Sequence, residues 1–486
     1  MKTSHANQDD FSLLRERLLN IHPGSAHQAQ NAPDIGDIFT PSNHANALDP
    51  QRALVVGNRG VGKSFWSAVL THDQTRNAVA ENYPRLQLNR IQAVLGFHEA
   101  AGKDDGPAPS PSLLADLLRQ DWLPEDIWYG VLLRAVGSKL NAAMPSKLKD
   151  ILEWRKADIE RAESVMRHAD QQYYANGKIF LLVFDALDRM ARDWGTITPL
   201  TEGVLKLALD MRGYRAMKAK VFMRTDQSND GNVFRFADAS KLRAEAVKLV
   251  WKREELFGLM YQILTKNDSS CSALARLAGV SNPSILAADL ADDFELQERL
   301  FYRIAGEFMG AGSKRGRTYT WIVDHLADAF GDTSPRSFLT ALQKAAASRP
   351  EPRDSVIDHN GIRTGVQDAS RVRLDELQED YSWISEVIGA LEGLEVPCEP
   401  KSFTQRWKER TTIETIRDKA NTTKTLLPLE LETSGITPET ALLYSLKSIG
   451  VIEFRDEKRI NVPDIFRVEA RIKRRGGVRP PSAKRK

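Results

Sequence analysis

The chain has 486 residues, which corresponds to about three domains of roughly 150 residues each and allows a large buried core. Its 68 Lys and Arg nearly balance its 65 Asp and Glu, and the formal net charge of +3 argues against a polybasic nucleic-acid wrapper and an acidic disordered protein. A hydrophobic content of 42% excludes a mostly disordered chain, and two cysteines cannot build a disulfide framework, a Cys-rich zinc site or an iron–sulfur cluster. The balance hides one asymmetry, because the last sixteen residues, from Arg471, contain eight Lys or Arg and no acid.

The N-terminal stretch is polar and lacks an apolar signal core, and no apolar run reaches the ~18 residues that a membrane span needs. We therefore expect a cytoplasmic protein without a membrane segment. Changes in composition and pattern along the chain predict five segments. They are an N-terminal extension (1–50), an α/β core (51–250) with a helical insertion at about 101–175, a helical lid (251–348), a linker (349–371) and a small C-terminal domain (372–486).

Apolar runs separated mostly by helical patterns predict five strands in the core, and hence an α/β fold with a parallel sheet. The run Ile179–Phe184 is apolar on both faces, which is typical of a central strand covered by helices. Two long helices are expected at about 125–143 and 146–174, and the apolar positions between Phe11 and Leu19 predict a short one. The five predicted strands are Ala53–Val56, Ile91–Phe97, Ile179–Phe184, Lys220–Met223 and Ala246–Val250.

A glycine-rich segment after the first strand fits the phosphate-loop pattern G-x-x-x-x-G-K-[ST] without departure. Glycines let backbone N–H groups turn toward phosphate oxygens, and the helix that follows adds the positive end of its dipole. We expect Lys63 to bridge the β- and γ-phosphates and Ser64 to hold Mg²⁺ through its hydroxyl. The predicted nucleotide-binding residues are Gly57, Asn58, Arg59, Gly60, Val61, Gly62, Lys63, Ser64 and Phe65.

A second carboxylate for Mg²⁺ is expected at the end of a buried strand, and Asp185 directly follows Ile179–Phe184. Many ATPases carry a Glu directly after this acid, but here that position is Ala186. Asp188, three residues beyond Asp185, can orient or activate the attacking water. The alternative is that Asp188 caps the N-terminus of a helix.

Two arginines are candidate γ-phosphate sensors. Arg224 ends the predicted strand Lys220–Met223, with Thr225 as the second candidate, and the alternative is an ordinary surface turn. Arg336 falls in the first turn of a helix that Ser334 caps, where the helix dipole disfavours a cation by a few tenths of a kcal/mol and an anionic partner is expected. A surface salt bridge explains Arg336 equally well.

The nucleotide is expected to be ATP rather than GTP. The segment Thr265–Asp268 fits the guanine-reading pattern [NT]-K-x-D, but it ends an apolar pattern with helical spacing instead of following a strand. The acidic motif also departs from the D-x-x-G of GTPases, because Asp188 stands where Gly would be.

Together, the segments Gly57–Ser64 and Asp185–Asp188, Arg224, and Arg336 on its helix resemble AAA+/STAND-type P-loop ATPases, a group that includes origin-recognition, KAP and NB-ARC-like proteins. The resemblance covers about residues 50–348. It implies a sheet in the order 5-1-4-3-2, a helical lid, Mg-ATP, and assembly as an oligomer through the nucleotide site. This sequence departs from the STAND pattern in having Ala186 for the common Gly and Arg189 for the common Glu. The resemblance also makes Arg235 and Arg243 candidates for an arginine finger.

The C-terminal region is predicted to contain a helix that begins near Pro438 and ends at Gly450, followed by a β-hairpin. This pattern with its basic flanks resembles a winged-helix domain, in which Arg455, Lys458 and Arg459 would face DNA phosphates beside the basic tail. The alternatives are a domain that binds protein or packs on its own ATPase, and a tail that is only solvated. A second basic–aromatic run, Lys314–Trp321, either meets nucleic acid or begins a lid helix.

Three functions follow from these residues. The first is an ATP-hydrolysing switch or motor that acts with a partner such as DNA. The resemblance also suggests an antiphage or mobile-element module, to which bacterial chains of similar layout often belong. The second is a scaffold that binds ATP with little turnover and recruits an effector protein, which Ala186 favours. The third, a P-loop kinase, fits poorly because no site for a substrate hydroxyl is visible.

Overall fold

The structure is a computed structural model that describes residues 8–23, 31–140, 143–433, 435–455 and 458–474. These residues form two compact units, one within 26–249 and the other from residues of 1–25 and 250–486. Within the described ranges no helix is both long and apolar enough to cross a lipid bilayer.

A five-stranded parallel sheet organises the first unit. Its strands are β1 (Leu54–Gly57), β2 (Ile91–Phe97), β3 (Ile179–Phe184), β4 (Met217–Arg224) and β5 (Val247–Lys248). They pair in the order β5-β1-β4-β3-β2, with every pairing parallel. This confirms the five predicted strands and the order 5-1-4-3-2, although β4 is eight residues long instead of four and β5 is two residues long instead of five. The fold is therefore an α/β P-loop NTPase fold.

The strands of the first unit are apolar because helices cover both faces of the sheet. From Phe180 to Phe184 every side chain of β3 is fully buried. One polar exception lies in β4, where the buried Lys220 Nζ donates to the carbonyl oxygens of Asp49 and Arg52, each at 2.6 Å. Burial lowers the pKa of Lys220 to about 7. Its bonds hold the chain that enters β1 against the sheet.

Helices fill the connections of the first unit. The predicted helix at 146–174 is instead two helices, because the side chain of Asp158 accepts a hydrogen bond from the backbone N–H of Arg161 at 3.0 Å and starts a new helix. The helices are Ala45–Leu48, Lys63–Thr71, Asp73–Asn82, Pro111–Arg119, Pro124–Leu140, Leu148–Ala157, Ile159–Ala175, Trp194–Asp210, Thr225–Asn229 and Ala239–Ala244.

The second unit is mainly helical. The predicted N-terminal extension supplies it with a helix whose Leu14 and Leu18 are fully buried in the core, and the buried Arg15 donates from Nε to the Val356 carbonyl at 2.8 Å. Its helices are Gln8–Leu19, Arg253–Thr265, Asp268–Ala278, Pro283–Asp292, Phe294–Ala305, Thr318–Leu326, Pro335–Ala347, His359–Asp380, Ile384–Gly389, Pro400–Glu409, Thr412–Thr423, Leu429–Thr433, Pro438–Ser448 and Asp464–Arg467.

The segment predicted as a linker, 349–371, instead includes the first half of the helix His359–Asp380. Asp358 caps this helix by accepting from the Gly361 N–H at 2.7 Å. The helix packs very closely on Pro335–Ala347, since a Cβ built at Gly365 would lie 2.1 Å from the carbonyl oxygen of Ala341. The small residues that made this segment look like a linker are therefore what allows the close packing.

The end of the chain contains the predicted helix and hairpin. Helix Pro438–Ser448 is followed by Gly450 with φ 74°. The strands are β6 (Glu395–Val396), β7 (Glu453–Arg455), β8 (Arg459–Asn461) and β9 (Lys473–Arg474), with β7 antiparallel to β8 and β6 parallel to β9. The centre of the hairpin turn (456–457) and the basic tail from 475 onward lie outside the described residues.

Candidate nucleotide-binding site

The phosphate loop connects the end of β1 to the start of helix Lys63–Thr71. Gly60 and Gly62 have φ of 79° and 103°, in the left-handed region that side chains other than glycine rarely adopt. A Cβ at Gly57 would lie 2.8 Å from Val61 Cγ2, so this glycine is required for close packing. The loop therefore has the backbone path that the motif predicts, ending at the N-terminus of a nine-residue helix.

The Lys63 ammonium folds back over this loop. Its Nζ donates to the carbonyl oxygens of Gly57 at 2.8 Å and Asn58 at 2.9 Å. Burial and the nearby Arg224 lower the pKa of Lys63 to about 8. The loop thus holds a cation at its centre, which a bound phosphate would stabilise.

Asp185 and Ser64 meet at the carboxyl edge of the sheet. The Asp185 side chain is buried, with the Ser64 hydroxyl, the Ala186 N–H and the Lys63 ammonium near its carboxyl group. Burial raises the pKa of Asp185, while these three groups oppose that rise. A buried carboxylate beside a hydroxyl offers the oxygen ligands that Mg²⁺ prefers, so these two residues fit the predicted metal-binding role.

Ala186 adopts a backbone conformation that favours glycine. Its φ is 56° and its ψ is 42°, in the left-handed region. This is the position where the sequence departs from the common Gly of STAND proteins. The turn after β3 is therefore strained at the residue that separates Asp185 from the segment carrying Asp188.

Asp188 does not cap a helix. It lies in the short 3₁₀ turn Leu187–Arg189, while the following helix is capped by Asp193, whose carboxylate accepts from the Thr196 N–H at 2.8 Å. The alternative role considered for Asp188 is therefore wrong.

Asp188 is engaged with the predicted sensor residue. Arg224 Nη1 donates to Asp188 Oδ2 at 3.3 Å, and Arg224 pairs in the sheet register with Gly57, the first residue of the loop. Asp226 binds the other edge of the same guanidinium, with Nε to Oδ1 at 3.1 Å and Nη2 to Oδ2 at 3.2 Å. All three side chains are between 12% and 20% exposed. Asp226 is a site residue that the sequence patterns do not single out, although an acid two residues after an Arg at the end of a strand is a signal by which it could be found.

Arg336 lies in the second unit, in the helix Pro335–Ala347. Ser334 caps this helix as predicted, accepting from the Ser337 N–H at 3.1 Å. Arg336 Nη1 donates to Glu376 Oε1 at 2.9 Å, and Glu376 also pairs with Arg373 at 3.2 Å. In this structure Arg336 therefore forms the salt bridge that was its alternative explanation.

Several other candidates have clear positions. The segment Thr265–Asp268, which fits the guanine-reading pattern, joins the end of one helix to the start of the next and follows no strand, as predicted. Lys314–Trp321 leads into the helix Thr318–Leu326, in agreement with the lid alternative. Of the two finger candidates, Arg235 is exposed, and Arg243 lies over the Phe234 ring at 5.2 Å.

Some of the cations in the described part of the C-terminal region have acidic partners, and others are exposed. Arg455 pairs with Glu453 at 2.6 Å, whereas Lys458 and Arg459 are exposed at the start of β8. In the described part of the tail, Arg471 pairs with Glu392 at 3.4 Å and Arg474 with Asp464 at 3.2 Å.

The fold and this site define a P-loop nucleotide-binding protein. No protein-family model matches the chain, and no curated protein matches it. Among solved structures, the chain is similar to the Aeropyrum pernix ORC2 protein (ADPNP–ADP complexes) at 12% identity and TM-score 0.38, covering 90% of this chain and 94% of that one. It is also similar to Aeropyrum pernix ORC1 in complex with DNA (11%, TM-score 0.33, 92% and 93%) and to Cdc6p from Pyrobaculum aerophilum (12%, 0.28, 85% and 83%). The fold assignment of this chain rests on its own strand order and phosphate loop.

Proposed function

We propose that this protein is a Mg²⁺-dependent, ATP-binding and ATP-hydrolysing P-loop ATPase of the AAA+/STAND-like kind that acts as a switch or motor with a partner. The observation that carries the proposal is the convergence of five side chains at one edge of the sheet. Two cations and three carboxylates lie close together at the phosphate loop, and charged groups of these kinds are the ones that support phosphoryl transfer. These side chains are Lys63, Arg224, Asp185, Asp188 and Asp226.

Each residue has a defined task in this proposal. Lys63 leaves the loop carbonyls and binds the β- and γ-phosphates, while Ser64 and Asp185 hold Mg²⁺, which supplies charge neutralisation when bound. Asp188 accepts the proton of the attacking water as the water oxygen bonds to the γ-phosphorus and the bond to ADP breaks. Arg224 binds the γ-phosphate oxygens. Arg336 is proposed as a second γ-phosphate contact once its bond to Glu376 is broken.

The test measures ATP binding and turnover together. Wild-type protein should bind ATP and release phosphate in the presence of Mg²⁺, and chelation of the metal should abolish the release. Lys63→Ala should lose binding, and Asp185→Ala should lose turnover by a factor of about 100 or more, as is typical when an electrostatic contact to the transition state is removed. Unchanged turnover in both variants would contradict the proposal.

The second candidate is the scaffold that binds ATP with little turnover. It is favoured by Ala186 in place of Glu and by the engagement of Asp188 with Arg224. Tight ATP binding to the wild type without phosphate release, with or without DNA, would select the scaffold over the ATPase.

We propose DNA as one partner, contacted through a winged-helix-like C-terminal domain at Lys458 and Arg459. Replacing both by Ala should weaken binding to duplex DNA and reduce its salt dependence, because each phosphate contact contributes about −0.9 to the slope of log K against log salt. The matched control replaces two exposed cations of the other basic run, Lys314 and Arg315. Loss of binding in the control but not in the hairpin variant would place the contact elsewhere.

A homo-oligomer, an effector protein and an antiphage or mobile-element setting also remain proposals, and they rest on the family resemblance.

A further inference from the structure

The guanidinium of Arg224 is held by two carboxylates in unequal ways. Asp226 takes the Nε and Nη2 edge through two hydrogen bonds of 3.1 and 3.2 Å, and this bidentate geometry fixes the plane of the group. Asp188 takes only Nη1, through a single bond of 3.3 Å. By this geometry Asp226 is the stronger partner of Arg224 and Asp188 is the weaker one.

The two acids also come from different parts of the fold. Asp226 lies two residues after Arg224, in the helix Thr225–Asn229, so this pair stays with β4. Asp188 lies in the turn that follows β3, and β3 is the strand next to β4 in the sheet. Arg224 is paired in register with Gly57, the first residue of the phosphate loop, and its guanidinium lies close enough to Lys63 to help lower the pKa of that lysine.

We propose that Asp226 is a positioning residue that orients Arg224 so that Nη1 passes from Asp188 to the γ-phosphate when ATP binds. This inference rests on the proposed function. The bidentate pair keeps the plane of the guanidinium fixed during the exchange, and the exchange frees the Asp188 carboxylate to accept a proton. ADP has no γ-phosphate, so the Asp188 contact persists when ADP binds. The three residues thereby make the site prefer ATP over ADP.

Two variants that each remove one negative charge beside the Arg224 guanidinium should change the preference for ATP over ADP in opposite directions. Asp188→Asn removes the competitor of the γ-phosphate and should raise the preference for ATP over ADP. Asp226→Asn removes the positioning contact, so the guanidinium turns toward Asp188, and the preference should fall. Each change is expected to be about tenfold, the usual effect of one hydrogen bond to a charged group. A purely electrostatic role predicts that both variants raise the preference, since each removes a negative charge near a polyanion.

The experiment measures the affinity of the full chain for the β,γ-imido analogue of ATP and for ADP by calorimetric titration with Mg²⁺, so that the readout does not depend on hydrolysis. Opposite shifts of the affinity ratio in the two variants support the inference, and shifts in the same direction overturn it. If Asp226→Asn does not fold, Asp226→Glu, which keeps the charge but moves the carboxylate, should also lower the ratio, and an unchanged ratio would overturn the inference. If the wild type does not bind the ATP analogue at all, the proposed function itself is contradicted.

Discussion

The strained turn after β3 gives a prediction about stability that the structure can quantify. Ala186 has φ 56° and ψ 42°, and a left-handed conformation costs an L-residue other than glycine about 1–2 kcal/mol. Ala186→Gly removes this cost but gives the unfolded chain more freedom, which destabilises the protein by about 0.4–1 kcal/mol. The difference predicts that the variant is more stable by about 1 kcal/mol.

Thermal unfolding without nucleotide measures this effect. For a unit of about 150–250 residues, 1 kcal/mol corresponds to a Tm increase of about 2–4 °C. The matched control is Ala115→Gly, at an exposed position within the helix Pro111–Arg119, where the same substitution should destabilise by about 1 kcal/mol. A Tm for Ala186→Gly that falls as far as that of Ala115→Gly would refute the assignment of strain to this turn.

Three further predictions concern packing, charge and pH. Gly365→Ala should lower the free energy of unfolding by about 2–3 kcal/mol, because the new Cβ would clash with the carbonyl oxygen of Ala341. The control Gly389→Ala should change the free energy of unfolding little, because no heavy atom lies within 4 Å of a Cβ at that position. Urea unfolding compares the two variants. Glu376→Gln should cost about 2 kcal/mol in the same assay, since it leaves the partly buried Arg336 without its ionic partner, and an unchanged midpoint would contradict this. ATP binds the protonated form of Lys63, and burial and Arg224 lower the pKa of this lysine to about 8. The affinity for ATP should therefore fall by up to tenfold per pH unit above pH 8, and Lys63→Arg should remove that fall.

The sequence was sufficient for the sheet and the loop because their signals are local. Ile91–Phe97 and Ile179–Phe184 have the same bounds in the structure as in the prediction. An apolar run flanked by turn residues marks a buried strand without knowledge of its neighbours. The strand order followed from the resemblance that the phosphate loop and the acidic motif supported.

Features that depend on distant residues could not be predicted in this way. The Arg224–Asp188 pair joins residues 36 positions apart, and a hydrophobic pattern contains no information about such a contact. In the same way, nothing near the helix Gln8–Leu19 indicates that it packs in a core formed mostly by residues after 250. The small and polar residues of 349–371 are typical of a linker, and only the facing helix Pro335–Ala347 shows that they allow close packing.

The most direct test of the proposed function is a crystal structure with the β,γ-imido analogue of ATP and Mn²⁺ in place of Mg²⁺. We predict the triphosphate in the loop Gly57–Ser64, Lys63 Nζ on its β- and γ-phosphates, and an anomalous metal peak in contact with the Ser64 hydroxyl oxygen. Arg224 should contact the γ-phosphate while keeping its bond to Asp226. A nucleotide bound elsewhere, or a Lys63 that still contacts the carbonyls of its own loop at saturating nucleotide, would contradict the assignment.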